Sequence, residues 1–216
     1  MDLEERARRH AALGDPVRLA IVDDLAASDR APGELSDRHG LASNLLAHHL
    51  EVLERAGLIE RITSAGDRRR RYVRLRFERV AGLDVAVPVP AGPVLFVCTH
   101  NSARSQLAAA LWEQEVGVRA FSAGTRPADS VHPGAVEAGR RSGLDLSSAV
   151  PRAIDEIDFE PWWVVTVCDQ AHEELSPGER WWHWSTPDPA DDPEPAAFDL
   201  ALNRIRGRIR TMTKGT

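Results

Sequence analysis

The pattern of apolar positions in the first part of the chain is mostly helical. Apolar side chains recur every three or four positions over residues 13–25 and again over residues 42–59, and a shorter helix is expected near residues 33–39. Gly40 and Gly57 stand at the ends of two of these segments, where glycine commonly closes a helix. The pattern therefore predicts three helices.

A basic hairpin is predicted after the helices. The segments IERITSAG and RRRYVRLRF are separated by a turn at Gly66 and Asp67, and in the second segment Val73, Leu75 and Phe77 alternate with arginines. Helix, helix, turn, helix and hairpin is the order of a winged helix-turn-helix, in which one helix enters the major groove of DNA. We therefore expect a mainly α domain with a β-wing.

The later part of the chain has the pattern of a buried parallel sheet. VLFV (residues 94–97) predicts a buried strand, SQLAAALWEQEV the helix that follows it, and WWVVTVCD a further strand. Five tryptophans are expected in the core and at its rim: Trp162, Trp163, Trp181, Trp182 and Trp184. We expect an α/β domain with a parallel sheet of about four strands.

A proline-containing segment separates the two patterns. Pro88, Pro90 and Pro93 disfavour both a helix and a central strand, so a linker is predicted over residues 81–92. The chain would then consist of a DNA-binding domain, residues 1–80, and an α/β domain, residues 93–216.

Charge is distributed unevenly between the two parts. Residues 1–80 carry 15 Arg and 14 Asp or Glu, whereas residues 81–216 carry 12 Arg or Lys and 19 Asp or Glu. Seven arginines lie between Arg61 and Arg76 against a single acid, Asp67, and such a segment suits a phosphate backbone. We infer that the two parts face different partners.

The sequence also limits the location of the protein. No apolar run approaches the roughly 18 residues that span a bilayer, and the charged N-terminus has no apolar segment of the kind that directs export. We therefore expect a cytoplasmic protein with no membrane partner. Cys98 and Cys168 are too few for a disulfide framework, so each is judged by its own context.

The N-terminal segments LGDPVRLAIVDDL, HHLEVLERAGLI and RRRRYVRL resemble the ArsR family of small bacterial repressors across residues 10–77. The resemblance implies an operator DNA partner. It places four residues at base edges and four arginines on phosphates: Ser43, Asn44, Ala47, His48, Arg68, Arg69, Arg70 and Arg71. The alternative is a trihelical domain whose arginine face is solvated and binds nothing.

Two departures from that family limit the function of this part. Metalloid-sensing members carry a cysteine pair on the helix that here reads GELSDRHG, and no cysteine is present, which excludes arsenite sensing by thiolates. The proline linker stands where the family has a final dimerising helix, so a homodimer would need the first helix or the second domain. His10, His39, His48 and His49 match no metal-site spacing, and no metal is expected.

The strand VLFV runs into the loop CTHNSAR, in which a cysteine and an arginine are separated by five residues. Backbone N–H groups of such a loop and the helix N-terminus after it bind a tetrahedral oxyanion and stabilise a thiolate. Cys98 is then the nucleophile, Arg104 the bidentate anion ligand and Ser105 a donor to sulfur. The rest of the oxyanion loop is Thr99, His100, Asn101, Ser102 and Ala103, with Asn101 as its brace. The alternative is an inert cysteine at a strand end.

Further segments, FSAGTRPADSVHPGAVEAGRRSGLDLS, WWVVTVCD and HWSTPDPAD, resemble the low-molecular-weight protein tyrosine phosphatase fold and its arsenate reductase branch, over residues 93 to about 210. The resemblance implies a general acid at Asp188, with Asp191 and Asp192 as competitors. Gln106 after the loop and the absence of tyrosine after Pro189 favour the reductases.

Cys168 decides the mechanism that the resemblance implies. Thioredoxin-linked reductases use a third cysteine seven residues after the second, and Leu175 stands there. Two routes remain: a Cys98–Cys168 disulfide that an external reductant reaches, or attack by a small thiol as in mycothiol-linked relatives. No bound cofactor is expected, only thioredoxin or mycothiol with mycoredoxin as reductant. Cys168 as a plain buried cysteine is an equal alternative.

The preferred hypothesis is a DNA-binding regulator fused to an arsenate reductase that converts arsenate to arsenite. A regulator that binds an oxyanion, arsenate or phosphate, with little turnover is the second hypothesis. A protein tyrosine phosphatase, using the same Cys98 and Asp188, is the third.

Overall fold

A computed structural model describes residues 2–80, 83, 85, 89–90, 92–175, 177–194 and 196–213. The chain forms two compact units, one containing Met1–Ser64 and Arg68–Pro88 and the other Ala65–Asp67 and Val89–Thr213. Much of the predicted linker, residues 81–92, lies outside the described residues, so the domain bounds proposed from sequence remain a prediction. Each unit is described by itself.

The N-terminal unit begins with four helices whose ends carry clear local signals. They are α1 (Leu3–Leu13), α2 (Pro16–Ala27), α3 (Pro32–His39) and α4 (Ser43–Arg55). Asp15 caps α2 by accepting the N–H groups of Val17 and Arg18, and Pro16 occupies the first helical position. Gly40 and Gly57 have φ of 61° and 71°, the left-handed conformation expected after α3 and α4.

The hairpin follows as predicted. Strands β1 (Ile59–Thr63) and β2 (Arg71–Leu75) pair antiparallel, with Ile59 opposite Leu75. A short helix, α5 (Phe77–Val80), comes next. Leucines and isoleucines of α2, α3, α4 and the hairpin form one apolar core. The unit is therefore a winged helix-turn-helix, which confirms the predicted fold.

Two details of this unit differ from the sequence pattern. Helix α1 was not predicted, because LEERARRHAAL has only two large apolar residues, Leu3 and Leu13, and its other positions hold charged residues, histidine and alanine. Its main signal is Asp2, whose carboxylate caps the helix by accepting the Glu5 N–H. Leu19 and Leu45 follow the apolar spacing, yet 37% and 46% of their surfaces are exposed. The apolar periodicity therefore overestimated the buried face by one residue in α2 and by one residue in α4.

The C-terminal unit contains one four-stranded sheet with helices around it. Its strands are β3 (Val94–Cys98), β4 (Ala120–Gly124), β5 (Trp163–Thr166) and β6 (Trp181–His183). Its helices are α6 (Arg104–Val116), α7 (Pro133–Arg141), α8 (Asp169–Glu174) and α9 (Ala196–Thr213). The strand order is β4-β3-β5-β6 and every pair is parallel, as predicted.

The sheet is central and its first strand is buried along its whole length. Phe96 of β3 contacts Trp112 and Trp184, with ring centroids 5.8 and 5.7 Å apart. Trp182 is also buried, whereas Trp162 is about half exposed and lies at the rim. Because the strands are parallel, the loops that follow β3 and β5 open at the same edge of the sheet. No helix in the described part of the chain is long and apolar enough to cross a membrane.

Candidate functional site: a cysteine loop at the edge of the sheet

Cys98 ends β3 and its side chain is buried in the loop that leads into α6. Its Sγ accepts the backbone N–H of Asn101 at 3.2 Å and lies 3.0 Å from Ser105 Oγ. The loop closes on the first turn of α6, which begins at Arg104 with Ala103 as its N-cap. The sulfur therefore faces hydrogen-bond donors and the positive end of a helix.

Asn101 organises this loop. It adopts φ of 48°, which is uncommon outside glycine and most tolerated by Asn and Asp. Its Nδ2 donates to Ser105 Oγ at 2.8 Å, while its Oδ1 accepts from Gln106 Nε2 at 3.2 Å and from the Arg152 N–H at 2.8 Å. Because Ser105 Oγ accepts from Asn101, its own proton is free to be donated to Cys98 Sγ.

The segment after β4 braces the outer side of the loop. Four loop carbonyls, those of Cys98, Thr99, His100 and Ser102, accept N–H groups from Thr125, Arg126, Ala128 and His132 at 2.8 to 3.2 Å. These four hydrogen bonds hold the backbone of the loop in a fixed course around Cys98. A Cβ on Gly124 would lie 2.7 Å from the Thr99 carbonyl oxygen, so this close approach requires glycine.

Arg104 and Asp188 meet, although 84 residues separate them in sequence. The buried guanidinium of Arg104 donates to the Thr186 carbonyl at 3.0 Å and forms an ion pair with the Asp188 carboxylate. Asp191 and Asp192, the competing acids, are exposed residues of the same loop. Of the three acids considered for proton transfer, Asp188 is thus the one that the structure brings to the cysteine loop.

Cys168 lies beside the same loop. Its Sγ is 3.3 Å from Thr99 Oγ1 and caps α8 by accepting the Ala171 N–H at 3.4 Å. Burial raises the pKa of the Cys168 thiol, and the nearby charge of Arg104 opposes this shift only in part. Both cysteines are free thiols. Leu175, at the position where the resemblance implies a third cysteine, is the C-cap of α8.

A buried polar cluster beside Cys168 was not found from sequence. Thr166 Oγ1 lies 2.9 Å from Nδ1 of both His172 and His183, and His183 Nε2 lies 2.9 Å from Asp169 Oδ1. The two imidazole rings stack 4.1 Å apart. Burial alone would raise the pKa of Asp169, but the hydrogen bond with His183 helps to hold it below its ordinary value. The cluster joins the ends of β5 and β6 to α8.

The predicted DNA-facing residues form an exposed surface on the N-terminal unit. Ser43, Asn44, Ala47 and His48 are exposed on α4, whereas the neighbouring His49 is buried. The four wing arginines, Arg68, Arg69, Arg70 and Arg71, are exposed as well. Among the described residues, no group of three or more His, Cys, Asp or Glu side chains is placed to hold a metal ion.

Comparison with known proteins identifies relatives of both units. Residues 93–212 match the family of low molecular weight phosphotyrosine protein phosphatases, and residues 13–62 match a helix-turn-helix domain family. An arsenate reductase of Staphylococcus epidermidis is 33% identical over 124 residues, 55% of this chain and 90% of the relative. An arsenate reductase of Halalkalibacterium halodurans is 34% identical over 133 residues, 56% of this chain and 94% of the relative.

A solved structure, a tyrosine phosphatase of Erwinia amylovora, has the same fold as the C-terminal unit. It is 14% identical, with a TM-score of 0.50 over 57% of this chain and 91% of the other. The sheet order, the cysteine loop between β3 and α6, and the matches over residues 93–212 agree with one another. The chain therefore belongs to the low molecular weight phosphotyrosine protein phosphatase family, among relatives that include arsenate reductases, and carries a helix-turn-helix domain before that unit.

Proposed function

We propose that this protein is an arsenate reductase fused to a DNA-binding transcriptional regulator. The meeting of Arg104 with Asp188 at the cysteine loop supplies an anion ligand and an acid for a cysteine-dependent reaction on an oxyanion, and the similarity to known reductases carries the choice of reaction. Extended similarity to arsenate reductases over nine-tenths of their length supports arsenate as the oxyanion. Two sequence features agree: the resemblance to the reductases includes Gln106 after the loop, and Ala190 after Pro189 provides no aromatic wall for a phosphotyrosine ring.

The proposed reaction uses each side chain of the loop. Arsenate binds the loop N–H groups and Arg104, and the Cys98 thiolate, stabilised by Ser105, forms a bond to arsenic. Asp188 donates a proton to the hydroxide that leaves, which departs as water. A second thiol then attacks Cys98 Sγ; the sulfur–arsenic bond breaks, its electron pair passes to arsenic, and arsenite leaves as a disulfide forms.

The second thiol is Cys168 or an external small thiol. The contact of Cys168 with Thr99 supports the first route, because it places this sulfur next to the residue after Cys98. The raised pKa of Cys168 weighs against it, since the neutral thiol is a poor nucleophile. In either route the electrons come from an external thiol system, thioredoxin or mycothiol with mycoredoxin, as a cytoplasmic location would provide.

Phosphoester hydrolysis is a second candidate activity, favoured by the presence of Leu175 where thioredoxin-linked reductases carry a third cysteine. The two activities are separated by one comparison. We expect the protein to form arsenite from arsenate with kcat/KM at least about tenfold above that for hydrolysis of p-nitrophenyl phosphate. The opposite ranking would assign the loop to phosphate ester hydrolysis.

The N-terminal unit is proposed to bind operator DNA, with α4 in the major groove and the wing on the backbone. Exposure of Ser43, Asn44, Ala47 and His48 on one helix supports this. Band shifts with promoter fragments should show a specific complex. The sensing hypothesis adds that arsenate or phosphate changes its affinity, and equal affinity with and without these anions would remove that coupling.

A homodimer would fit this mode of binding, because operator half-sites are usually read by two copies. A groove of about 410 Å³ between α1 and α4 supports an interface there; it is lined by the apolar residues Ala11, Ala12, Val52 and Ala56 and by Arg8 and Arg55. Sedimentation should then give twice the chain mass, and Ala11→Glu, at an exposed position of the groove, should give the monomer.

A further inference from the structure

A narrow groove leads away from Asp188 along one face of α9. Its volume is about 120 Å³. Besides two prolines, it is lined by Asp188, Asp192, Ala197, Leu200, Ala201 and Arg204. The lining includes Asp188, the acid that pairs with Arg104 of the cysteine loop, so the groove lies beside the proposed reaction site.

The helical part of the lining forms a single stripe. Residues 197, 200, 201 and 204 are spaced by three, four and seven positions, which places them on one helix face. At 1.5 Å per residue, the stripe is about 10 Å long from Ala197 to Arg204. The two alanines are buried and give a shallow floor, whereas Leu200 is 58% exposed and forms an open apolar wall. This length suits a small molecule of a few linked groups.

Opposite charges stand at the sides of this floor. Asp192 uses one carboxylate oxygen to accept the Glu194 N–H, which leaves the other oxygen for a ligand. Arg204 is exposed and, within the described residues, its guanidinium makes no hydrogen bond or ion pair, unlike Arg206 and Arg210, which hold Glu115. The groove therefore offers a ligand an apolar wall at Leu200, a hydrogen-bond acceptor at Asp192 and several hydrogen-bond donors at Arg204.

We propose that this groove binds the non-reacting body of the small thiol that attacks Cys98 Sγ. The proposal rests on the reductase function proposed above. The ligand class is a low-molecular-weight thiol whose hydroxyl, amide or zwitterionic groups donate to Asp192 and accept from Arg204. With its body along α9, its sulfur is directed past Asp188 towards the cysteine loop.

The reaction step balances with this thiol as reductant. Its sulfur forms a bond to Cys98 Sγ in the cysteine–arsenate adduct, the sulfur–arsenic bond breaks, and the electron pair reduces arsenic from the +5 to the +3 state. The thiol proton passes to an arsenite oxygen. The products are arsenite and a mixed disulfide on Cys98, which a second thiol molecule or a disulfide reductase opens.

Steady-state kinetics of Arg204→Ala and Leu200→Asp test the groove. Both side chains are exposed, so folding should persist. With mycothiol or glutathione as reductant, each substitution should raise the KM for the thiol by about tenfold and leave the KM for arsenate within about twofold. This is the loss expected for one charge-assisted contact at Arg204, and for an apolar wall replaced by a charge at Leu200. Mycothiol and glutathione are tested separately, because mycothiol offers hydroxyl groups and glutathione offers a zwitterionic group. The thiol whose KM rises more identifies the kind of ligand that the groove binds.

Two controls make the result specific. Arg210→Ala removes an arginine of the same helix that pairs with Glu115, and it should leave the thiol KM unchanged. 2-Mercaptoethanol has almost no body, so its KM should respond to Arg204→Ala by less than about twofold. An unchanged KM for mycothiol and glutathione in both variants overturns the groove. Wild-type turnover with thioredoxin but with neither small thiol also overturns the groove, although it leaves the reductase function standing. No arsenite with any reductant overturns both proposals.

Discussion

The cysteine loop and the DNA-facing surface carry their candidate residues in opposite ways. Cys98, Asn101, Arg104 and Ser105 are buried and bonded to one another or to distant segments. The candidate residues of α4 and the wing are exposed. The loop is a preorganised site in which each group depends on its neighbours, whereas the surface is a set of nearly independent contacts that phosphate and bases would complete.

The largest expected effect separates the two regions outright. Cys98→Ser should lower arsenite formation by at least about 10³-fold, because the hydroxyl is a far weaker nucleophile at neutral pH. DNA affinity in band shifts should not change, since the substitution replaces one buried atom in the other unit. Turnover by this variant within about tenfold of the wild-type rate would remove Cys98 from the mechanism.

A smaller loss is expected when the loop loses its brace. Asn101→Ala leaves the buried Gln106 amide and the Arg152 N–H without their acceptor, at about 1–3 kcal/mol of unfolding free energy. It should also lower kcat about 10²-fold, because Ser105 and Cys98 are no longer held in register. Asn203→Ala, at an exposed asparagine of α9, is the matched control. Equal kcat values for the two variants would show that the brace is dispensable.

Substitutions of the wing arginines should have additive effects on DNA binding, because each arginine is expected to contact its own phosphate. Each of Arg68→Ala and Arg70→Ala should lower the slope of log affinity against log salt by about 0.9, the value for one phosphate contact. His48→Ala should instead reduce discrimination between operator and unrelated DNA at a nearly constant slope. Arg140→Ala, at an exposed arginine of the other unit, is the control. A slope that stays constant in both wing variants contradicts the phosphate contacts.

The smallest effect concerns Cys168 and pH. Its pKa is raised in the folded protein, so the folded state holds the thiol proton more tightly than the unfolded chain does. The resulting stability is complete below the ordinary thiol value of 9.0 and is lost as pH rises above it. Between about pH 8.5 and 10, the wild type should lose more unfolding free energy than Cys168→Ala in urea titrations. Parallel losses would contradict the shift.

Local sequence signals predicted most of the architecture and half of the site. A buried strand, a loop of small residues and a helix placed Cys98, Arg104 and Ser105 together because they are neighbours in the chain. Asp188 came from a resemblance, since no local pattern shows that it meets Arg104 across 84 residues. The bracing role of Gly124 depends on a distance to Thr99 that only folding creates.

Other features had weak signals or none. Helix α1 was missed because charged residues hide its apolar face, although Asp2 is a good N-cap. The stacked His172 and His183 were missed because they belong to different elements, α8 and β6, eleven positions apart. Buried polar clusters of this kind are specified by tertiary packing, which hydrophobic periodicity does not report.

The central claim is that the Cys98 loop reduces arsenate, and the most direct measurement is arsenite production by the purified wild type beside Cys98→Ser. Arsenate would be supplied with thioredoxin and its reductase, or with mycothiol and mycoredoxin. The account predicts continuous arsenite formation by the wild type with at least one system, and none above background by Cys98→Ser. Absence of arsenite with both systems, in a preparation that still binds DNA, would contradict the reductase and favour a regulator that only senses an oxyanion.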